Sequence, residues 1–272
     1  MKLLICIVFY NQKIEESNSF RMLSNQETSI HPFFYLFDNS LNKNIICQTA
    51  SNVFYTYNPK NPGLSVAFNS AAKYALENGF EWILLSDQDT CFSKDFLQKM
   101  QQATIEYPLV SLFAPIIKLS NNTLFSPSKF RNMRSKSLYN ISHGLKSLND
   151  TMPINSGLLI KISHFFEAGA YDENLRVDFC DFAFLNKVKK VDDRYVLVDS
   201  VVVQSFSNEE IDKEKLLTRF HIYITDAKNY SCDTYNEKIG LFYSVLKHSI
   251  ALTLRTKSIK YLTFFLKKYL FV

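Results

Sequence analysis

Seven consecutive apolar residues, Leu3–Phe9, stand near the N-terminus. A strand with one wet face alternates apolar and polar residues, so a run with no polar position predicts a strand covered on both faces. Further runs follow at Phe33–Phe37, Val53–Tyr57, Trp82–Leu85 and Leu109–Ile117. Between them lie helical patterns. Leu64, Ala67, Phe68, Ala71, Ala72, Ala75 and Leu76 repeat at helical spacing, with Asn61 as expected cap, Pro62 in the first turn and Gly79 as stop. A second helix is expected from a Ser93 cap to about Tyr107, ended by Pro108. Strands alternating with helices need crossover connections, which predicts an α/β fold with a mostly parallel sheet.

Residues 118–152 break this pattern. They are rich in Ser, Asn, Lys and Arg and read as a long loop over a site. Apolar patterning returns at Ile154–Ile162 and Tyr195–Val203, and from Glu209 the chain reads as helix with a break near Tyr230–Asp233. The expected organisation is one α/β domain, residues 1–207, and a helical extension, 208–272. A chain of 272 residues has room for one large domain and a small appendage. With 47% hydrophobic and 21% charged residues it is not a disordered chain. No apolar run reaches the ~18 residues that span a bilayer. Met1–Tyr10 has one basic residue and no small-residue cleavage site, so it reads as a buried strand rather than a signal peptide. Five cysteines, none paired at two-residue spacing, argue against a disulfide framework and for a reducing compartment.

Four short segments could carry chemistry. Asp87-Gln88-Asp89 ends a buried strand, where ligands bind in open parallel sheets. Two hard oxygen donors there suit Mg²⁺ or Mn²⁺ on a diphosphate, or form a solvated turn. Asp38-Asn39-Ser40 follows another buried strand and fits a hydrogen-bond acceptor for a ligand or, more simply, a turn. Asp178 and Asp181 lie among aromatics, as a base with a raised pKa or as favourable charges at a helix N-terminus. Asn155-Ser156-Gly157 allows a backbone to pass close to a ligand, or makes a turn. The five histidines form no ligand pair, and no glycine-rich phosphate loop appears.

The order of these segments is more specific than any one of them. Phe9-Tyr10-Asn11, Asp38-Asn39-Ser40, Asn61-Pro62-Gly63 with Asn69, Asp87-Gln88-Asp89, Asn155-Ser156-Gly157 and Gly169-Ala170-Tyr171-Asp172-Glu173 leading to Asp178 and Asp181 resemble the family 2 glycosyltransferases of GT-A fold. Their bacterial rhamnosyltransferase-like branch is the nearest in pattern. The resemblance covers about residues 2–205. It implies inverting transfer of a hexosyl unit, rhamnose by branch, from a dTDP- or UDP-sugar.

It also implies the roles. Tyr10, Asn11, Asp38, Asn39, Asn69, Asp87 and Lys228 would bind the nucleotide or donor, and Asp87 and Asp89 would hold Mg or Mn. Asp181 would be the base, with Ser156, Gly157 and Asp178 lining the acceptor site. Gln204 stands where many relatives carry a metal-site histidine, and Ala183 replaces an acid two residues after the base. Glutamine lacks the imidazole nitrogen, although its carbonyl oxygen suits a hard cation.

Residues 238–272 hold seven basic residues and no acidic one, while the rest holds 24 basic and 26 acidic. Mixed with Phe, Leu and Ile, this tail reads as amphipathic basic helices at an anionic membrane surface, or as helices packing on the domain or a second subunit. The expected placement is cytoplasmic, peripheral at the inner face of the cell membrane, with a glycan or lipid-linked acceptor in surface polysaccharide synthesis such as O-antigen or capsule. A homo-oligomer is compatible with the tail, and nucleic-acid binding is disfavoured. Two other readings are a nucleotide-sugar-binding protein without turnover and an adaptor acting through the tail.

Overall fold

The computed structural model describes residues 1–44, 51–204 and 212–270. The sheet is built around β1 (Leu3–Phe9), every residue of which is buried. Parallel to it run β2 (Phe33–Asp38) on one side and β4 (Trp82–Asp87) on the other, with β3 (Val53–Tyr57) outside β2. Beyond β4 come β10 (Leu158–Lys161), β5 (Leu112–Leu119), β11 (Arg194–Gln204) and β9 (Gly144–Ser147). β10 is antiparallel to both β4 and β5, β11 is parallel to β5, and β9 is antiparallel to β11. The sheet is therefore mixed and mostly parallel, as expected.

Alternation along β1 divides the core in two. Leu4, Cys6 and Val8 join a cluster with α2 (Leu64–Glu77), α5 (Cys180–Val191) and the C-terminal helices. Leu3, Ile5, Ile7 and Phe9 join the opposite cluster with α1 (Asn18–Ser24) and α3 (Phe96–Glu106). A strand covered on both faces has no polar position left, which is why the run is continuous.

Three local expectations are corrected. Asn61 does not cap α2; the cap position is Gly63, with no side-chain cap bond, and Pro62 lies before the helix. Ser93 does not cap α3, which starts after Asp95. The Ser93 hydroxyl instead lies 3.2 Å from that of Ser200. The 118–152 excursion is not a bare loop. It contains β6 (Leu124–Ser126), which pairs with β5, a hairpin of β7 (Lys129–Arg131) and β8 (Arg134–Lys136), and β9.

Beyond α4 (Ile162–Glu167) and α5, the extension folds as α6 (Lys213–Asn229), α7 (Tyr235–Thr256) and α8 (Lys260–Phe265). The break falls between α6 and α7 as expected. The 207/208 boundary, Glu209 and Cys47 lie outside the described residues. The other four cysteines are free. Among the described residues no helix is long and apolar enough to cross a membrane.

Candidate active site

The sheet places the candidate residues on one edge. Register sets Phe9 level with Asp38 and Val8 level with Asp87. Tyr10 and Asn11 follow β1, and Asp38 and Asp87 end their strands. The chain runs from β1 outward through β2 and β3, then returns to β4 on the other side of β1. This reversal of strand order opens a crevice at the strands' carboxyl ends, where open α/β sheets bind ligands.

Asp38 is buried and saturated. It accepts hydrogen bonds from the Ser40 N–H (2.9 Å), the Asn44 N–H (3.1 Å) and side chain (2.7 Å), and the Tyr55 hydroxyl (2.6 Å). Burial alone would raise its pKa, but the bonds from Ser40, Tyr55 and Asn44 outweigh it and hold the carboxyl below the usual range. Asn11 is tied into the same corner, since its N–H donates to the Ser40 hydroxyl at 2.7 Å. The Tyr10 N–H donates to Gln88 Oε1 at 2.8 Å, joining the β1 and β4 ends, and the Tyr10 side chain is exposed. Asn39 Nδ2 donates to Gly63 O at 3.3 Å, while its buried Oδ1 has no partner.

Asp87 sits where three strands meet. Its Oδ2 accepts from Ser156 Oγ at 2.6 Å, just before β10, and from Gln204 Nε2 at 3.2 Å, at the end of β11. Burial raises its pKa, against these two bonds. Asp89 is pushed up to about 6, first by burial and then by the charge of Asp87. The Gln204 Oε1 atom is buried with no partner. Two carboxylates and an unpartnered amide oxygen form an all-oxygen donor set that fits a hard divalent cation. Among the described residues there is no group of three or more His, Cys, Asp or Glu able to hold a metal, so such an ion would draw its remaining ligands from the donor and water. Gly157 is held by a 2.8 Å bond from its N–H to Leu85 O. A Cβ there would come 2.9 Å from Pro115 Cγ, so the close approach is to protein.

Asp181 lies in the first turn of α5. Its carboxylate is partly accessible yet surrounded by protein, and its pKa is pushed up to about 7. Burial is the main cause, offset by the Phe182 N–H at 2.9 Å and added to by the charges of Asp178 and Asp87. The residue before the helix, Phe179, has φ 63°, a left-handed conformation costly for a side chain of this size. That strain is held by aromatic contacts with Tyr223 and Tyr230, at 5.2 and 5.8 Å between ring centroids.

Two residues that sequence reading missed hold this segment. Asp226 on α6 is buried and accepts the N–H groups of Arg176 (2.9 Å), Val177 (2.9 Å) and Asp178 (2.8 Å). Arg219, one face along α6, forks onto both oxygens of Asp178. Asp178 is thus engaged by an arginine from the extension. The available signal for Asp226 was its place beside Phe220, Ile224 and Ala227 on the buried face of α6.

Other residues stand elsewhere. The Asn69 amide is committed to the chain before the base: it accepts from the Tyr171 N–H at 2.9 Å and donates to Tyr171 O at 3.1 Å and Glu173 Oε1 at 3.0 Å. Lys228 lines a groove of ≈ 280 Å³ between α6 and the last helical turns, with His221, Phe264 and Lys268. None of the candidate carboxylates lines that groove.

Comparison with known proteins agrees with this fold. A dTDP-rhamnosyl transferase, RfbF of Shigella flexneri, is 27% identical over 133 residues, 45% of this chain and 41% of that protein. The chain thus matches less than half the length of this curated relative. Among solved structures, S. aureus TarS 1–349 in complex with UDP-GlcNAc has a TM-score of 0.57 at 14% identity, over 89% of this chain and 71% of that one. GalNAc-T7 with UDP, GalNAc and Mn²⁺ has a TM-score of 0.57 at 12% identity, over 75% of this chain and 44% of that one. These likenesses are of fold, and the fold is GT-A. Residues 5–165 match the family Glycosyl transferase family 2, and since that span exceeds half the chain, the protein belongs to glycosyl transferase family 2.

Proposed function

We propose that the protein transfers a hexosyl unit, with inversion, from a nucleotide-diphosphate sugar to a glycan acceptor. The observation that carries this reading is the contrast of carboxylates at one sheet edge. Asp38 is held ionised by hydrogen bonds, while Asp181 is kept near pKa 7 and close enough to feel the charge of Asp87. A base is most effective when its pKa lies near working pH.

In this mechanism the Asp38 corner receives the base and ribose of the donor, with Tyr10, Asn11 and the unpartnered, buried Oδ1 of Asn39 beside it. Asp87 and Asp89 face the diphosphate side. Mg or Mn held by Asp89, Asp87 and the Gln204 carbonyl oxygen would supply Lewis-acid neutralisation of the leaving diphosphate. Asp181 takes the proton from the acceptor hydroxyl, whose oxygen then attacks the anomeric carbon opposite the departing diphosphate. Ser156 orients Asp87 and borders the acceptor side with Gly157, and Asp178 borders it while paired with Arg219. Lys228 meets the diphosphate only if the extension's groove opens toward it.

The relative's printed name supports dTDP-rhamnose as donor, and the complexes of the structural neighbours support UDP-sugars as the next candidates. The basic tail supports a lipid-linked acceptor at the inner face of the cell membrane, in surface polysaccharide synthesis. Gln204 favours a second reading, a nucleotide-sugar-binding protein without turnover.

Calorimetric titration with UDP, dTDP, GDP and ADP, with and without Mn²⁺ or Mg²⁺, tests the donor site. Product analysis with matching sugars tests transfer. One nucleotide binding more tightly with metal, with turnover lost in Asp181→Asn, is the expected result. Binding without turnover on any acceptor would favour the second reading.

A further inference from the structure

Thirteen of the 31 Lys and Arg residues lie in two stretches that contain no Asp or Glu, residues 107–149 and 238–272. The remainder holds 18 basic residues against 26 acidic ones. The stretches are far apart in sequence, and the fold joins them. The Ser244 hydroxyl of α7 donates to Met133 O, at the turn of the β7–β8 hairpin, at 3.0 Å. The Arg134 guanidinium lies over the Tyr243 ring, 5.7 Å from its centroid.

The shared surface is both charged and apolar. Lys129, Arg131 and Lys136 of the hairpin are exposed. On α7 the face that buries Leu241, Val245 and Leu252 is opposed by one carrying Tyr243, Lys247, Ile250 and Leu254, all exposed. Leu254 is 72% exposed. The inner side of the hairpin touches the site, because Phe130 stacks on Phe182, next to Asp181, at 3.9 Å and 7°.

We propose that the β7–β8 hairpin and the outer face of α7 form one docking surface for an anionic lipid bilayer. This deepens the reading of a lipid-linked acceptor and rests on it for its purpose. A bilayer takes basic and apolar side chains together, the first at the headgroups and the second below them. A nucleic-acid backbone has no use for exposed Ile250 and Leu254. The acidic excess over the rest of the molecule is repelled by the same surface, which orients the protein hairpin-down with Phe182 and Asp181 nearest the lipid.

The test is co-sedimentation of the full chain with vesicles of phosphatidylglycerol in phosphatidylcholine, against phosphatidylcholine alone. Preferential pelleting with the anionic vesicles, released by high salt, is expected. The double variants Arg131→Glu with Lys136→Glu, and Ile250→Asp with Leu254→Asp, should each weaken it ~10-fold or more. Circular dichroism and nucleotide titration confirm that each variant is folded.

Equal binding to both vesicle types, or hairpin-variant binding as tight as that of the unaltered chain, overturns the proposal. An oligonucleotide that binds this face and is not displaced by vesicles overturns it in favour of nucleic acid. Vesicle binding needs neither donor nor acceptor. Absence of transfer would therefore remove the glycosyltransferase reading alone, and transfer in detergent without vesicle binding would remove this one alone.

Discussion

The corner around Asp38 and the turn around Asp181 each surround a carboxylate with protein, and they do so with opposite results. Asp38 receives four hydrogen bonds from its own neighbourhood, on β3 and the loop after β2. Asp181 has only backbone donors, the N–H groups of Phe182 and of Asp181 itself, and two like charges near it. The first acid is settled in its charged form and suits recognition. The second changes protonation near neutrality and suits proton transfer. The regions also differ in support, since sheet register places Asp38 whereas side chains of α6 hold the chain before Asp181.

The largest effect that would sharpen this contrast is Asp181→Asn. Transfer should fall ~10³-fold, with nucleotide affinity within a few-fold. The unaltered enzyme should gain kcat/KM as pH rises through about 7, because only the deprotonated acid accepts a proton. A folded-state pKa above the unfolded one penalises the native state increasingly from about pH 4 to 7. The Asn variant should therefore be more stable than the parent above pH 7, on the order of 2 kcal/mol, and equal to it below pH 4. Thermal melts at pH 4 and 8 read this. Identical melts for parent and variant at pH 8 would break the comparison.

Next is Asp38→Ala, expected to weaken nucleotide binding ~10²-fold in calorimetry while the pH at half-maximal kcat/KM stays in place. It leaves the donors of Ser40, Asn44 and Tyr55 unpaired, which should lower denaturant stability by ~2 kcal/mol. Asp226→Asn replaces one of the two oxygens that accept the N–H groups of Arg176, Val177 and Asp178 by an NH2 donor, and should cut kcat ~10-fold with little change in donor KM. Hydrogen exchange at residues 176–178 should quicken in this variant, and unchanged exchange there would remove α6 from the account. The smallest effect is Gln204→His, expected to tighten Mn²⁺ binding several-fold to ~10-fold by calorimetry.

Much of this was legible in the chain. Val53–Tyr57, a half-exposed edge strand that keeps Thr56, was legible from its aromatic and β-branched residues, whereas the run Leu3–Phe9 matched its strand because covering on both faces removes every polar position. Asp38 and Asp87 could be placed at strand ends for the same reason. The strands of the excursion were hidden because they are three or four residues long and depend on distant partners, as β9 does on β11. Arg219 and Asp226 were hidden because a charged residue on a helix reads as solvated until its partner, 41 or 50 residues away, is known. The caps expected at Asn61 and Ser93 failed for a local reason. Both helices begin two or more residues later, at Gly63 and Asp95, where no side chain caps.

Gly63 has a consequence for how such a chain can drift. A side-chain carbon there would fall 2.1 Å from the carbonyl oxygen of Arg176, which also accepts the Leu64 N–H at 2.7 Å. The obstacle is backbone, so no replacement at 176 can relieve it. Position 63 is frozen by main chain rather than by the identity of its neighbour, and pairwise covariation among descendants would leave this contact invisible.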